Sequence, residues 1–170
     1  MSTKSAVPIV LVVLGWLILP LIADAGPPLT ATVRFGLDSQ TGSPFPVPLG
    51  HDESSHAKHT LVPRTVVIAQ SGTVTFVIDS PVHQVAVYEA GTEPGDIDAT
   101  ILTPGGMGDC PDIPLIDDMD GLVAVLGDQP CAGGPTMVSY TFDEPGRYLV
   151  ICAFLPHFAD DDMYGWVIVK

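Results

Sequence analysis

The sequence predicts an all-β protein, a sandwich or barrel of short antiparallel strands. Three observations carry that expectation. β-branched and aromatic residues recur at every second position over several short runs. Those runs are punctuated by Gly and Pro, 17 of each in 170 residues. No stretch shows the apolar spacing of a convincing amphipathic helix. Hydrophobic residues make up 46% of the chain, enough to build a core, which excludes a disordered chain despite a net charge of −14. Lys and Arg number 6 against 20 Asp and Glu, and no two basic residues are adjacent. That balance excludes nucleic acid and an anionic membrane surface as partners, since both need clustered positive charge.

Met1–Ala25 reads as an export signal. Lys4 precedes an uncharged apolar run from Ala6 to Ala23, and Ala23-Asp24-Ala25 offers a small-x-small cleavage pattern. Cleavage after Ala25 and retention as an N-terminal membrane anchor are both open. Either way residues 26–170 form one domain that is periplasmic or otherwise extracytoplasmic, where disulfides persist.

Within that domain Thr30–Phe35 reads as an edge strand. The polar, Pro-rich stretch that follows, with His51, His56 and His59, reads as loop. Thr65–Ala69, the turn Gln70-Ser71-Gly72 and Thr73–Ile78 read as a hairpin. Asp79-Ser80-Pro81 breaks the pattern, and a strand resumes over His83–Tyr88. Thr92–Gly134 is a long acidic excursion in which Leu115–Leu126 reads equally as a short helix or a strand. Met137–Phe142, the turn Asp143-Glu144-Pro145-Gly146 and Arg147–Cys152 restore the strand pattern. A loop over Ala153–Asp162 leads to a last strand, Tyr164–Val169.

Four residues near strand ends carry the chemistry: His83, Cys152, His157 and Met163. Two imidazoles and a thiolate in a trigonal plane, with a weak axial thioether, are what a blue copper centre requires. The cysteine count agrees. Cys110 and Cys131 both lie in the excursion and form a natural disulfide in an oxidising compartment, worth roughly 3 kcal/mol on the loop-entropy account. Cys152 is then the odd thiol, and metal ligation gives it a role. The competing readings leave Cys110 and Cys131 free, or pair one of them with Cys152.

The segments Thr65–Phe76, Ser80–Tyr88, Tyr140–Cys152 and His157–Val169, in that order, resemble the cupredoxin family of small blue copper proteins, such as plastocyanin and azurin. The most specific piece is Phe142-x-x-Pro-Gly-x-Tyr-x-x-x-Cys152, then His157, then Met163-x-Gly before the final strand. The resemblance implies a Greek-key β-sandwich with a long acidic loop insertion and one type 1 copper, held by His83, Cys152, His157 and Met163. It also implies single-electron transfer between redox partners, a c-type cytochrome or a membrane oxidase, by a monomer with a ring edge of His157 exposed as the electron port. The stretch between His157 and Met163 is longer than the family's usual pattern, and a carbonyl near Val82 is the alternative axial donor.

Three further features bear on function. His51, His56 and His59, with Asp52 and Glu53, form either a solvated loop or a secondary metal site for copper capture or partner docking. The Asp160-Asp161-Asp162 run reads as a solvated loop tip, or as charge that steers a cationic partner. No His-x-His pair, Gly-x-Ser-x-Gly, phosphate loop or His-Glu-x-x-His occurs, so an enzyme is not expected. The alternatives to an electron carrier are a copper-trafficking protein without redox turnover and a metal-free interaction module.

Overall fold

A computed structural model describes residues 26–45, 57–104, 113–127 and 136–170. The export signal, His51, His56, Cys110 and Cys131 lie outside the described residues, and so does the expected disulfide. Among the described residues no helix is long and apolar enough to cross a membrane.

The described strands are β1 (Thr30–Asp38), β2 (His59–Val62), β3 (Thr65–Ile68), β4 (Gly72–Ile78), β5 (Val85–Ala90), β6 (Leu102–Pro104), β7 (Pro114–Ile116), β8 (Leu122–Leu126), β9 (Thr136–Phe142), β10 (Gly146–Cys152) and β11 (Tyr164–Val169), with one short α-helix, α1 (Leu155–Ala159), and a 3-10 turn at Pro94–Asp96. They form a four-stranded sheet in the order β2-β1-β4-β9 and a five-stranded sheet in the order β3-β11-β10-β5-β8. The core lies between them. β4 and β11 alternate buried with half-exposed residues along their length, as strands with one wet face do. Val33, Phe35, Val74, Phe76, Phe142, Val150 and Val167 meet in that core, with Phe35 and Phe76 edge to face at 5.8 Å.

Both sheets are mixed, which corrects the purely antiparallel expectation. β1 runs parallel to β4, with Thr30 opposite Thr73 through Phe35 opposite Ile78, and β3 runs parallel to β11. β1 is also not an edge strand, because β2 flanks it on its other side. The run from Thr65 to Ile78 is not a hairpin. The turn Ala69–Gly72, with Ser71 at φ 60° and a Gly72 N–H to Ala69 carbonyl bond of 2.9 Å, carries the chain from one sheet to the other. A corner and a hairpin impose the same period-two pattern, so the pattern does not separate them.

The acidic excursion is only partly loop. Its Leu122–Leu126 portion is strand β8, paired with β5 at the edge of the five-stranded sheet, and β6 and β7 form a small ribbon. This layer covers the outer face of β5 and β10. Tyr88, Leu149 and Ile151 there pack with Ile97, Ile116 and Phe158 in a second apolar cluster. Double-sided burial explains why Val85–Tyr88 and Leu149–Cys152 are continuously buried rather than alternating.

Candidate metal centre

Cys152 ends β10, opposite Val85, the first residue of β5. His83 lies two residues before β5, in the connection from β4. His157 sits in α1, whose single turn begins with Leu155-Pro156 and is closed by the Asp160 N–H to the Pro156 carbonyl. Proline suits the first turn of a helix because its missing N–H would have no intrahelical partner there. The short helix replaces the expected loop and turns the His157 ring toward Cys152.

The three side chains meet. His83 Nδ1 is 3.5 Å from Cys152 Sγ, His157 Nδ1 is 3.7 Å from it, and the two Nδ1 atoms are 3.0 Å apart. The point equidistant from these three atoms lies about 2 Å from each, the length of a bond from a metal to imidazole nitrogen and a little short of one to thiolate. His83 is 1% exposed, Cys152 0% and His157 2%. Soft and borderline donors facing one another away from water form a set that a cation satisfies.

The orientation of His83 follows from its neighbours. Ser80 Oγ donates to the Gly36 carbonyl at 2.9 Å, so toward His83 Nε2, 3.0 Å away, it can only accept. Nε2 therefore carries the proton and the Nδ1 lone pair faces Cys152. Gly36 makes this relay possible. It lies at the irregularity in the β1–β2 register, at φ +81°, and its carbonyl also accepts the Phe45 N–H at 2.8 Å. A Cβ there would come within 2.5 Å of His83 Nε2, so only glycine fits.

Burial, and next the neighbouring His59, push the His83 pKa down to about 3, which keeps its lone pair available. Burial pushes the Cys152 thiol up to about 12, against the pull of the Gln84 and Phe154 backbone N–H groups, while Asp161 raises it further. The side chain is thus held as the neutral thiol in the metal-free protein.

Met163 is fully buried in the core cluster that contains Cys152. Its backbone ties the centre together: the Cys152 N–H donates to its carbonyl and its own N–H donates to the His157 carbonyl, each at 2.9 Å.

His59 is not in a solvated loop. It opens β2, is 1% exposed, and belongs with His83 and His157 to a buried group whose ligand atoms lie within 4.8 Å of one another. Its Nδ1 is 3.3 Å from His83 Nε2, on the side of that ring away from Cys152. Its ring stacks on His157 at 3.9 Å and on Phe45 at 3.8 Å. The expected exposed edge of His157 is covered by this stack and by Phe154, edge-on at 4.5 Å.

The aspartate run is likewise not a uniform solvated tip. Asp161 is 1% exposed and its Oδ2 accepts the His59 N–H at 3.0 Å. Lys58 Nζ donates to the Asp160 carbonyl at 2.8 Å and pairs with Asp162 at 3.4 Å, and Arg64 donates to the Asp162 carbonyl at 2.5 Å. Two of the chain's few basic residues therefore offset the charge beside the centre.

The sequence does not disclose the Gly36–Ser80 relay, and it groups His59 with His51 and His56 instead of with His83 and His157. A lone Gly inside the Phe35-Gly36-Leu37 run is a bulge signal, and His59-Thr60-Leu61-Val62 has strand alternation. Ser80 carries no local signal.

No family model matches the sequence, and no curated protein matches it. Solved structures do match the fold. A dithionite-reduced auracyanin from the photosynthetic bacterium Roseiflexus castenholzii aligns with a TM-score of 0.53 at 15% identity, over 85% of this chain and 99% of that one. Auracyanin A, a "blue" copper protein from Chloroflexus aurantiacus, aligns at 0.48 and 20%, over 84% and 99%. Reduced rusticyanin aligns at 0.44 and 17%, over 84% and 80%. The chain has the cupredoxin fold.

Proposed function

We propose that the protein is an exported type 1 copper protein that carries single electrons, with His83 Nδ1, His157 Nδ1 and Cys152 Sγ as the trigonal ligands. The convergence of those three atoms on one point is the observation that carries the reading. Bound copper supplies one-electron chemistry between Cu(II) and Cu(I). The protein's own part is to hold the donors in place: the relay through Ser80 to Gly36 fixes the His83 ring, and the backbone bonds through Met163 fix the spacing of Cys152 and His157. Met163, buried in the core cluster that contains Cys152, would offer a thioether as a fourth, weak donor. The fold shared with the reduced auracyanin supports the reading.

The net charge of −14 supports a positively charged redox partner, such as a c-type cytochrome, or a membrane oxidase with a basic docking face. A second reading, copper held without rapid turnover, is favoured by the burial of both ligand imidazoles.

Adding Cu(II) to the purified full-length protein should give an intense visible thiolate-to-copper band that is lost in Cys152→Ser. Copper binding without that band sinks the blue-centre assignment. With the band present, slow electron self-exchange favours the holding protein over the carrier.

A further inference from the structure

His59 has a place in the centre that the ligand set leaves unexplained. It comes from β2, in the sheet opposite the one that carries Cys152, yet it touches both ligand imidazoles. One ring face lies on His157 with 21° between planes, and the other lies on Phe45 with 24°. Phe45 is 5% exposed, so the column Phe45–His59–His157 fills the space from the ligand outward with aromatic rings. Its backbone is anchored separately, through the His59 N–H to the buried Asp161 carboxylate in the ligand loop.

The hydrogen bonding shows why a histidine stands there rather than a phenylalanine. His83 Nε2–H faces two acceptors, Ser80 Oγ at 3.0 Å and His59 Nδ1 at 3.3 Å. The Ser80 proton is committed to the Gly36 carbonyl. His59 therefore adds a second acceptor to the same donor, and its Nδ1 lone pair is directed at His83 Nε2 rather than toward Cys152. This geometry sets His59 beside His83 and His157 with its Nδ1 turned to His83 Nε2 and not to the point between His83 Nδ1, His157 Nδ1 and Cys152 Sγ.

Resting on the copper reading above, we propose that His59 is a positioning residue that seals the metal centre: its ring closes the β2 side of His157 to small external ligands, and its Nδ1 shields the His83 Nε2–H. An ion with few protein donors can add water or an anion unless the protein fills the approach. In this chain, packed rings fill it.

The test compares the full-length wild type with His59→Ala and His59→Phe. In the copper-loaded proteins, azide should leave the thiolate-to-copper band of the wild type and of His59→Phe unchanged. The band of His59→Ala should shift or bleach, with azide binding tighter by at least about tenfold. In the metal-free proteins, nitrogen-resolved NMR should show the His83 Nε2–H protected in the wild type and exchanging at least about tenfold faster in both variants. If His59→Ala fails to fold, His59→Leu, which fills the space without a flat ring or an acceptor, takes its place. An azide-resistant His59→Ala, an azide-sensitive wild type, or a nitrogen coupling to copper that disappears in His59→Phe would overturn the proposal. If the wild type gives no thiolate band, the copper reading fails, and the exchange measurement on metal-free protein still decides whether His59 shields His83.

Discussion

The two walls of the candidate metal centre are built on different plans. One wall is a single stretch, Cys152 to Met163, in which a strand end, one helical turn and two backbone bonds set the spacing of the Cys152 thiol and the His157 imidazole. The other is assembled from Gly36, Phe45, His59 and Ser80, which come from β1, β2 and the connections between strands. The first wall depends on local geometry, so it survives as long as its own loop does. The second depends on the two sheets being in register, because its contacts cross from one to the other. Asp161 is the bond between the walls, a ligand-loop carboxylate that accepts a β2 backbone N–H.

This contrast is broken most severely at Gly36. Gly36→Ala places a methyl group against His83 at a φ of +81°, and the combined backbone and overpacking cost is about 3 kcal/mol. Chemical denaturation should show that loss, and copper titration should show affinity reduced by at least about tenfold while the Cys152–Met163 stretch is untouched. Asp161→Ala removes the link instead of a wall. Leaving the buried His59 N–H without this acceptor should cost about 2 kcal/mol, with faster amide exchange at His59 as the local readout.

A control lies away from both walls. Tyr88 donates to the Asp118 carbonyl at 3.0 Å, and burial, then Asp118 and Asp117, push its pKa up to about 12. The folded state holds this proton more tightly than the unfolded chain. Its contribution is therefore full below pH 10 and is lost as pH rises toward about 12. Tyr88→Phe should cost about 1 kcal/mol at neutral pH, flatten that alkaline loss, and leave copper binding unchanged.

The same division governs what could be read from the chain. Strands β4, β9, β10 and β11 announce themselves through alternation and turn residues, and the spacing of Cys152, His157 and Met163 is a local pattern. Which sheet each strand joins is not local. Thr65–Ile78 alternates in the same way as a corner or a hairpin, and β1 is interior only because β2 returns beside it. β8 was ambiguous because Gly and Asp surround a short apolar run whose partner, β5, lies more than thirty positions earlier. His59 was hidden for a similar reason. Its polar, Pro-rich surroundings describe a loop, whereas its burial comes from Phe45 on one face and His157 on the other. The exposed edge expected for His157 failed because an aromatic column from a distant strand covers it.

The relay from His83 through Ser80 to the bulged Gly36 also has a consequence in time. Its members, with Cys152 and His157, span almost the whole distance from the first strand to the last. No early fragment of the chain carries an aligned donor set, because the His83 ring is oriented only once β1 is paired with β4 and β5 with β10. A cation held by these donors would therefore bind the folded sheets and not a fragment, and would stabilise the fold as it binds.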